Sequence, residues 1–216
     1  MLTGCMIFWN DLAMLKRSVP ELRKRVDRLV MVDGPYAQFP KTANPLEYWP
    51  SDTLHSTDGS HALAVEYADS VVSGFWDTEE QKRCAYLEAT KSGSNVIVVD
   101  ADEVIDGELP FTMPELARIE VRRNDKSTPP YPVVRVFKHT PTLRYAGTHH
   151  TLFDGERFLN AEPMPTIKTA WLNHLVIERE ADKARLQLKH LYYGWLQEHE
   201  GIFKAEMRRK GIQYEA

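Results

Sequence analysis

The chain has 216 residues, a formal net charge of −4, 27% charged and 43% apolar side chains. That balance fits one globular domain with a real core and argues against a protein that wraps nucleic acid by bulk charge, though a local basic groove stays compatible with it. Cys5 and Cys84 form no CxxC pair, no apolar run reaches membrane-spanning length, and the first residues lack the basic start of a signal peptide, so a reduced, cytoplasmic location without a membrane segment is expected.

"LTGCMIFW" reads as a first strand, and "NDLAMLKRSVPELRKRV" as a helix interrupted at Pro20. "DRLVMVDG" predicts a second strand, apolar on both faces and stopped by Gly34. From Pro35 to Gly59 there are several prolines and no clear period, which predicts a long loop, and loops of that length are usually functional or mobile. We expect it to act as a lid. "SHALAVEYA" predicts a short helix, "DSVVSGF" a short strand, and "DTEEQKRCAYLEATKSG" a helix capped by Asp77 or Thr78 and ended by Gly93. The continuous apolar run "NVIVV" suits a strand buried on both faces of a parallel sheet. Strands alternating with helices predict a doubly wound α/β architecture for the first hundred or so residues.

After Pro110 the pattern changes. "PELARIEVRR" is predicted helical, and "YPVVRVFKH", "LRYAGTHHTLF", "ERFLN" and "PTIKTAWLNHLVI" are predicted strands. These would lay antiparallel hairpins beside the parallel half. The segment that begins "EADKARLQLKH" and runs to Gly211 predicts a long helix or two.

The chemistry concentrates where "NVIVV" runs into Asp100, Asp102 and Glu103. Ligands of open α/β sheets bind beyond the carboxyl ends of strands. If the chain stays extended, Asp100 and Asp102 point the same way and can share Mg²⁺ or Mn²⁺. Asp33 in "MVDG" would end a second strand at the same crevice. The blander reading of Asp-x-Asp is an acidic turn after a strand.

Four segments in order make the chain resemble the GT-A fold nucleotide-sugar glycosyltransferases, especially the family 2 type: "RLVMVDG", "FWDTEEQKRCAYLEA", "VIVVDADEVI", and the pair "YAGTHH" with "WLNHLVI". The resemblance covers roughly residues 2–178 and implies a Rossmann-like mixed sheet with helices on both faces and an antiparallel hairpin region on the acceptor side. It implies one domain, with residues 1–105 binding the nucleotide sugar, 106–178 forming the acceptor and metal side, and 179–216 a C-terminal helical segment. By the same resemblance Asp33, with Gly34 beside it, would meet the nucleotide base. Asp100 would face the ribose and metal-diphosphate, Asp102 the metal, and Lys82 and Arg83 the diphosphate. Without the resemblance, Lys82 and Arg83 are a solvated helix face paired with Glu79 and Glu80.

His174 lies in the apolar "WLNHLVI", where a satisfied core histidine is the ordinary reading. The resemblance implies instead a late histidine returning to the metal, and neutral imidazole beside carboxylates suits Mn²⁺. His55, His61, His139, His190 and His199 read as surface or packing residues. Inverting relatives keep an acidic doublet as base after the metal motif, and this chain has none there. Asp125 is the nearest positional match, and His149 or His150 would be alternatives because imidazole titrates near neutrality. Stereochemistry stays open.

The implied activity is metal-dependent transfer of a hexose from a nucleotide diphosphate sugar, with UDP-sugars such as UDP-glucose favoured, to a hydroxyl of a glycan, a protein or a hydroxylated DNA base. Tyr192, Tyr193, Trp195, Phe203, Lys204, Arg208, Arg209 and Lys210 combine rings and cations that could hold nucleic acid, but such spacing more often marks core and helix-end charges. A nucleotidyltransferase would carry a Gly-rich basic loop after the first strand, which "FWNDLAML" lacks. A non-catalytic nucleotide-sugar or nucleic-acid binding module would have no need of Asp100 and Asp102.

Overall fold

A computed structural model describes residues 1–35, 53–146 and 151–181. It is a mixed α/β structure. Four strands come first in parallel pairing: β1 (Leu2–Phe8), β2 (Arg28–Asp33), β3 (Ser70–Ser73) and β4 (Asn95–Val98). They alternate with α1 (Leu12–Arg23), α2 (Ser60–Tyr67) and α3 (Glu79–Glu88). The later strands are β5 (Glu103–Gly107), β6 (Leu116–Arg123), β7 (Tyr131–Lys138) and β11 (Thr166–His174). All eight form one sheet in the order β3-β2-β1-β4-β7-β6-β11-β5. A small sheet holds β8 (Leu143–Tyr145), β9 (Leu152–Asp154) and β10 (Arg157–Phe158), and α4 (Val176–Ala181) follows β11.

The run of residues explains the layers. Both faces of β1, β2 and β4 are apolar because both are covered. On one face Met6, Leu29, Met31 and Ile97 pack against Leu15, Val19 and Leu22 of α1 and Ala64 of α2. On the other, Cys5, Val30, Val32, Val96 and Val98 pack against Ala85, Tyr86 and Leu87 of α3 and against Leu143, Tyr145 and Leu152 of the small sheet. Burying one such large side chain contributes roughly 1.5–3 kcal/mol before chain entropy is charged against it.

Several expectations are corrected. Residues 116–123 are a strand, not a helix: Ala117, Ile119 and Val121 are buried in strict alternation, a period of two that pairing with β7 and β11 rewards. Glu103–Gly107 is a separate strand, antiparallel to β11. The α1 helix continues through Pro20 to Arg23. Thr78, rather than Asp77, caps α3 by accepting from the Gln81 N–H at 3.1 Å. The predicted strand through Ile177 stops at His174, where α4 begins two residues later, and "ERFLN" gives only the two residues of β10 before a 3-10 turn.

Strand directions decide what shares an edge. Because β7 is antiparallel to both β4 and β6, and β11 is parallel to β6, the carboxyl ends of β1, β2, β4, β6 and β11 meet on one rim. The amino end of β5 joins them there.

Candidate active site

The order β2-β1-β4 places a topological switch point between β1 and β4, the position at which open α/β sheets take ligands. Asp100 and Asp102 follow β4 there. The chain does not stay extended through them. It turns, with the Glu103 N–H donating to the Asp100 carbonyl at 2.9 Å. The two carboxylates therefore meet different partners instead of pointing the same way.

Asp100 sits between two arginines. Arg83 Nη2 donates to Oδ1 at 2.9 Å and Arg135 Nη2 to Oδ2 at 2.7 Å. Arg135 Nη2 also reaches Glu103 Oε1 at 2.7 Å, and Arg83 Nε reaches Glu79 Oε1 at 2.9 Å. The result is a line of alternating charge, Glu79–Arg83–Asp100–Arg135–Glu103, whose two arginines are each only 2% exposed. Burial opposes the charge on each guanidinium, but the adjoining carboxylates outweigh it and keep both firmly protonated. Arg83 is thus not on a solvated helix face, and it is held at the crevice through Asp100. Arg135 was not anticipated, although an arginine inside the apolar "YPVVRVFKH" was its signal.

Glu103 was missed as well. Burial pushes its carboxyl up to about 7 against the attraction of Arg135. An acid whose folded pKa is raised is fully stabilising below its unfolded value near 4.5 and loses that stability as pH rises through about 7. Glu103→Gln is therefore expected to flatten the decline in stability between pH 5 and 8 in urea titrations at a series of pH values. An unchanged slope would assign the titration to another group.

Asp102 lies with a second set. Arg179 of α4 donates Nε to Asp102 Oδ2 at 3.0 Å and forks onto Asp11 with two bonds of 2.6 Å. His174 Nε2 stands 3.4 Å from the same Asp102 oxygen. Two ligands of one octahedral ion with bonds near 2.1 Å stand about 3 Å apart, so the Asp102–His174 spacing matches two positions of such a shell once Arg179 gives up the Asp102 Oδ2 that it holds here. Asp100 does not fit a third as it stands, because both its oxygens hold arginines. Among the described residues, no group of three or more His, Cys, Asp or Glu side chains converges on a metal position. Asp100, Asp102 and His174 therefore do not converge as the expected trio.

At the end of β2 the expected roles change. Asp33 is fully buried and its oxygens are engaged. Ser56 donates its N–H to Oδ2 at 2.8 Å and its hydroxyl to Oδ1 at 2.6 Å, and His61 Nδ1 meets Oδ2 at 2.9 Å. Asp33 therefore anchors a loop rather than offering a bare carboxylate to a base, and His61 packs against it while its side chain stays partly exposed. Gly34 has φ +122°, and a Cβ there would come within 1.9 Å of the Gly74 carbonyl oxygen, so the crossing of two backbones requires glycine. Lys82 is 1% exposed and donates to the carbonyls of Phe8 and Gly34 at 2.5 and 2.6 Å. It ties β1 to β2 instead of reaching toward a diphosphate.

The expected lid is only partly described. Residues 36–52 lie outside the described residues. Residues 53–59 are stitched down: Ser56 Oγ accepts from Asn10 N–H, the Thr57 N–H donates to Asn10 Oδ1, and Asp58 accepts from the Leu12 N–H. That stretch is a fixed wall over the ends of β1 and β2.

Asp125 follows the carboxyl end of β6, close to His174, whose carbonyl accepts from the Asn124 N–H at 3.1 Å. Arg123 holds Asp125 with two bonds, of 3.1 and 2.8 Å, and keeps its carboxyl well below the usual range, which makes it a poor proton acceptor. His149 and His150 lie outside the described residues, as do the rings and cations from Tyr192 to Lys210.

No protein-family model matches the chain, and no curated protein matches it. Among solved structures it is similar to S. aureus TarS 1-349, at 13% identity and a TM-score of 0.39, over 60% of this chain and 38% of that one. The same TarS fragment in complex with UDP gives 15% identity, a TM-score of 0.39 and coverage of 59% and 38%. The chain spans 23% of a longer TarS chain. Among the described residues, no helix is long and apolar enough to cross a membrane.

Proposed function

We propose that the chain is a glycosyltransferase of the GT-A type that takes a nucleotide diphosphate sugar, with UDP-sugars favoured, and passes the sugar to a hydroxyl of a glycan, a protein or a hydroxylated DNA base. The observation that carries this reading is the meeting of Asp102 and His174 at 3.4 Å, beside the β1–β4 switch point. Residues far apart in the sequence are brought together at the edge where α/β sheets take nucleotides.

The chemistry to be assisted is loss of a diphosphate. Mn²⁺ or Mg²⁺ held by Asp102 and His174 would supply positive charge to offset that of the leaving diphosphate. Arg83 and Arg135 hold Asp100 in one orientation at the rim. Asp125, held ionised by Arg123, is a poor candidate for the base.

Calorimetry with UDP and GDP, each with and without Mn²⁺, tests the reading. Binding that needs Mn²⁺ is expected, and Asp102→Asn is expected to weaken it by about tenfold or more. Absence of nucleoside diphosphate binding, or equal binding by Asp102→Asn, would count against it. Incubation with a panel of UDP- and GDP-sugars then identifies the donor by release of its nucleotide.

A further inference from the structure

We propose that His61 is the base-selecting residue of the crevice and that Asp33 selects its tautomer, so that the site accepts nucleotides whose base presents a ring N–H. The inference rests on the reading of the crevice as a nucleotide site and names the residue that chooses the nucleotide.

The hydrogen-bond directions run one way. The Asn10 N–H donates to Ser56 Oγ at 2.8 Å, which leaves the Ser56 hydroxyl hydrogen for Asp33 Oδ1. The Ser56 N–H occupies Asp33 Oδ2 as a second donor. Asp33 is thus an acceptor to every partner, and His61 Nδ1, at 2.9 Å, must carry the hydrogen it shares with Oδ2. In neutral imidazole the other nitrogen, Nε2, is then an acceptor. The partner is rigid, because Asp33 has no exposed surface and the loop holding it is bonded to Asn10 and Leu12.

His61 itself stays 32% exposed, beside His55 with ring centroids 4.8 Å apart. It stands above the carboxyl end of β2. Asp100 follows β4, two strands away, which is about 10 Å at ordinary strand spacing. A nucleoside diphosphate bridges such a span, with its phosphates toward Asp102 and its base toward His61. An acceptor at Nε2 pairs with the ring N–H of uracil or guanine. It faces a lone pair on the corresponding ring nitrogen of cytosine or adenine. The rule favours UDP over CDP among pyrimidines and GDP over ADP among purines.

The test is calorimetry of UDP, CDP, GDP and ADP in the presence of Mn²⁺. The full chain is expected to prefer UDP to CDP by about tenfold or more, because the rejected base leaves a polar pair unmatched. His61→Phe and His61→Asn are expected to lose that preference, mainly by weakening UDP. Asp33→Asn is expected to reduce it by freeing the tautomer. Ser56→Ala loosens the same loop but leaves the Asp33–His61 bond, and is expected to keep the ratio, which separates tautomer control from mere support. If the unaltered chain binds UDP and CDP equally, or if both His61 variants keep the ratio, His61 does not select the base while the nucleotide-site reading stands. If the unaltered chain binds none of the four, both readings fall together.

Discussion

Arg135→Met is expected to destabilise the fold by about 3–5 kcal/mol above pH 8, where Glu103 is ionised, and by less below pH 7, because it removes one partner from a buried ionic network. Arg135 Nη2 serves both Asp100 and Glu103 at 2.7 Å. Asp100 would keep Arg83, but Glu103, only 3% exposed, would keep only the Asp100 N–H at 2.9 Å on its other oxygen. Methionine fills much of the arginine volume, so the loss reads the charge rather than a cavity. Urea unfolding with an unchanged slope would measure it. The double variant Arg135→Met/Glu103→Gln is expected to recover part of the loss, since the orphaned carboxylate is then gone. A cost below about 1 kcal/mol for the single variant would place Arg135 with ordinary exposed ion pairs.

Lys82→Met is expected to cost about 2–4 kcal/mol, from two carbonyls each left without its donor in a buried setting. Those carbonyls belong to Phe8 and Gly34, at the carboxyl ends of β1 and β2. The desolvation of the ammonium, relieved in the variant, offsets some of that loss. Thermal unfolding gives the stability, and amide exchange of residues 8–10 and 33–35 reports whether the two strand ends loosen. The alternative expectation, Lys82 as a diphosphate ligand, makes a different forecast: UDP affinity would fall while stability stayed within about 0.5 kcal/mol. That outcome would return Lys82 to the donor site.

These two residues show how far a sequence carries. The strands "LTGCMIF", "RLVMVD" and "NVIV" were legible because doubly buried strands leave continuous apolar runs, and the helix after Thr78 because caps are local. The region of the crevice was legible too, since acidic residues at strand ends are adjacent in the chain to the runs that announce the strands. Residues 116–123 misled because "LARIEV" satisfies helical spacing at Leu116 and Ile119 as well as alternation. Only pairing with β7 and β11 decides between them.

Partnership was not legible. Lys82 and Arg83 are neighbours on one helix, yet Lys82 ends on the carbonyls of Phe8 and Gly34 and Arg83 on Asp100. Asp100 and Asp102 part company because a turn, closed by the Glu103 N–H, replaces the extended chain. Asp33 meets Ser56 and His61 across a long loop, and Asp102 meets His174 and Arg179 from the other end of the chain. Hydrophobic periodicity is a local property, set by which face of an element is wet. Hydrogen bonds and ion pairs act over about 3 Å between groups distant in sequence, so only the packed sheet determines which carboxylate each cation finds.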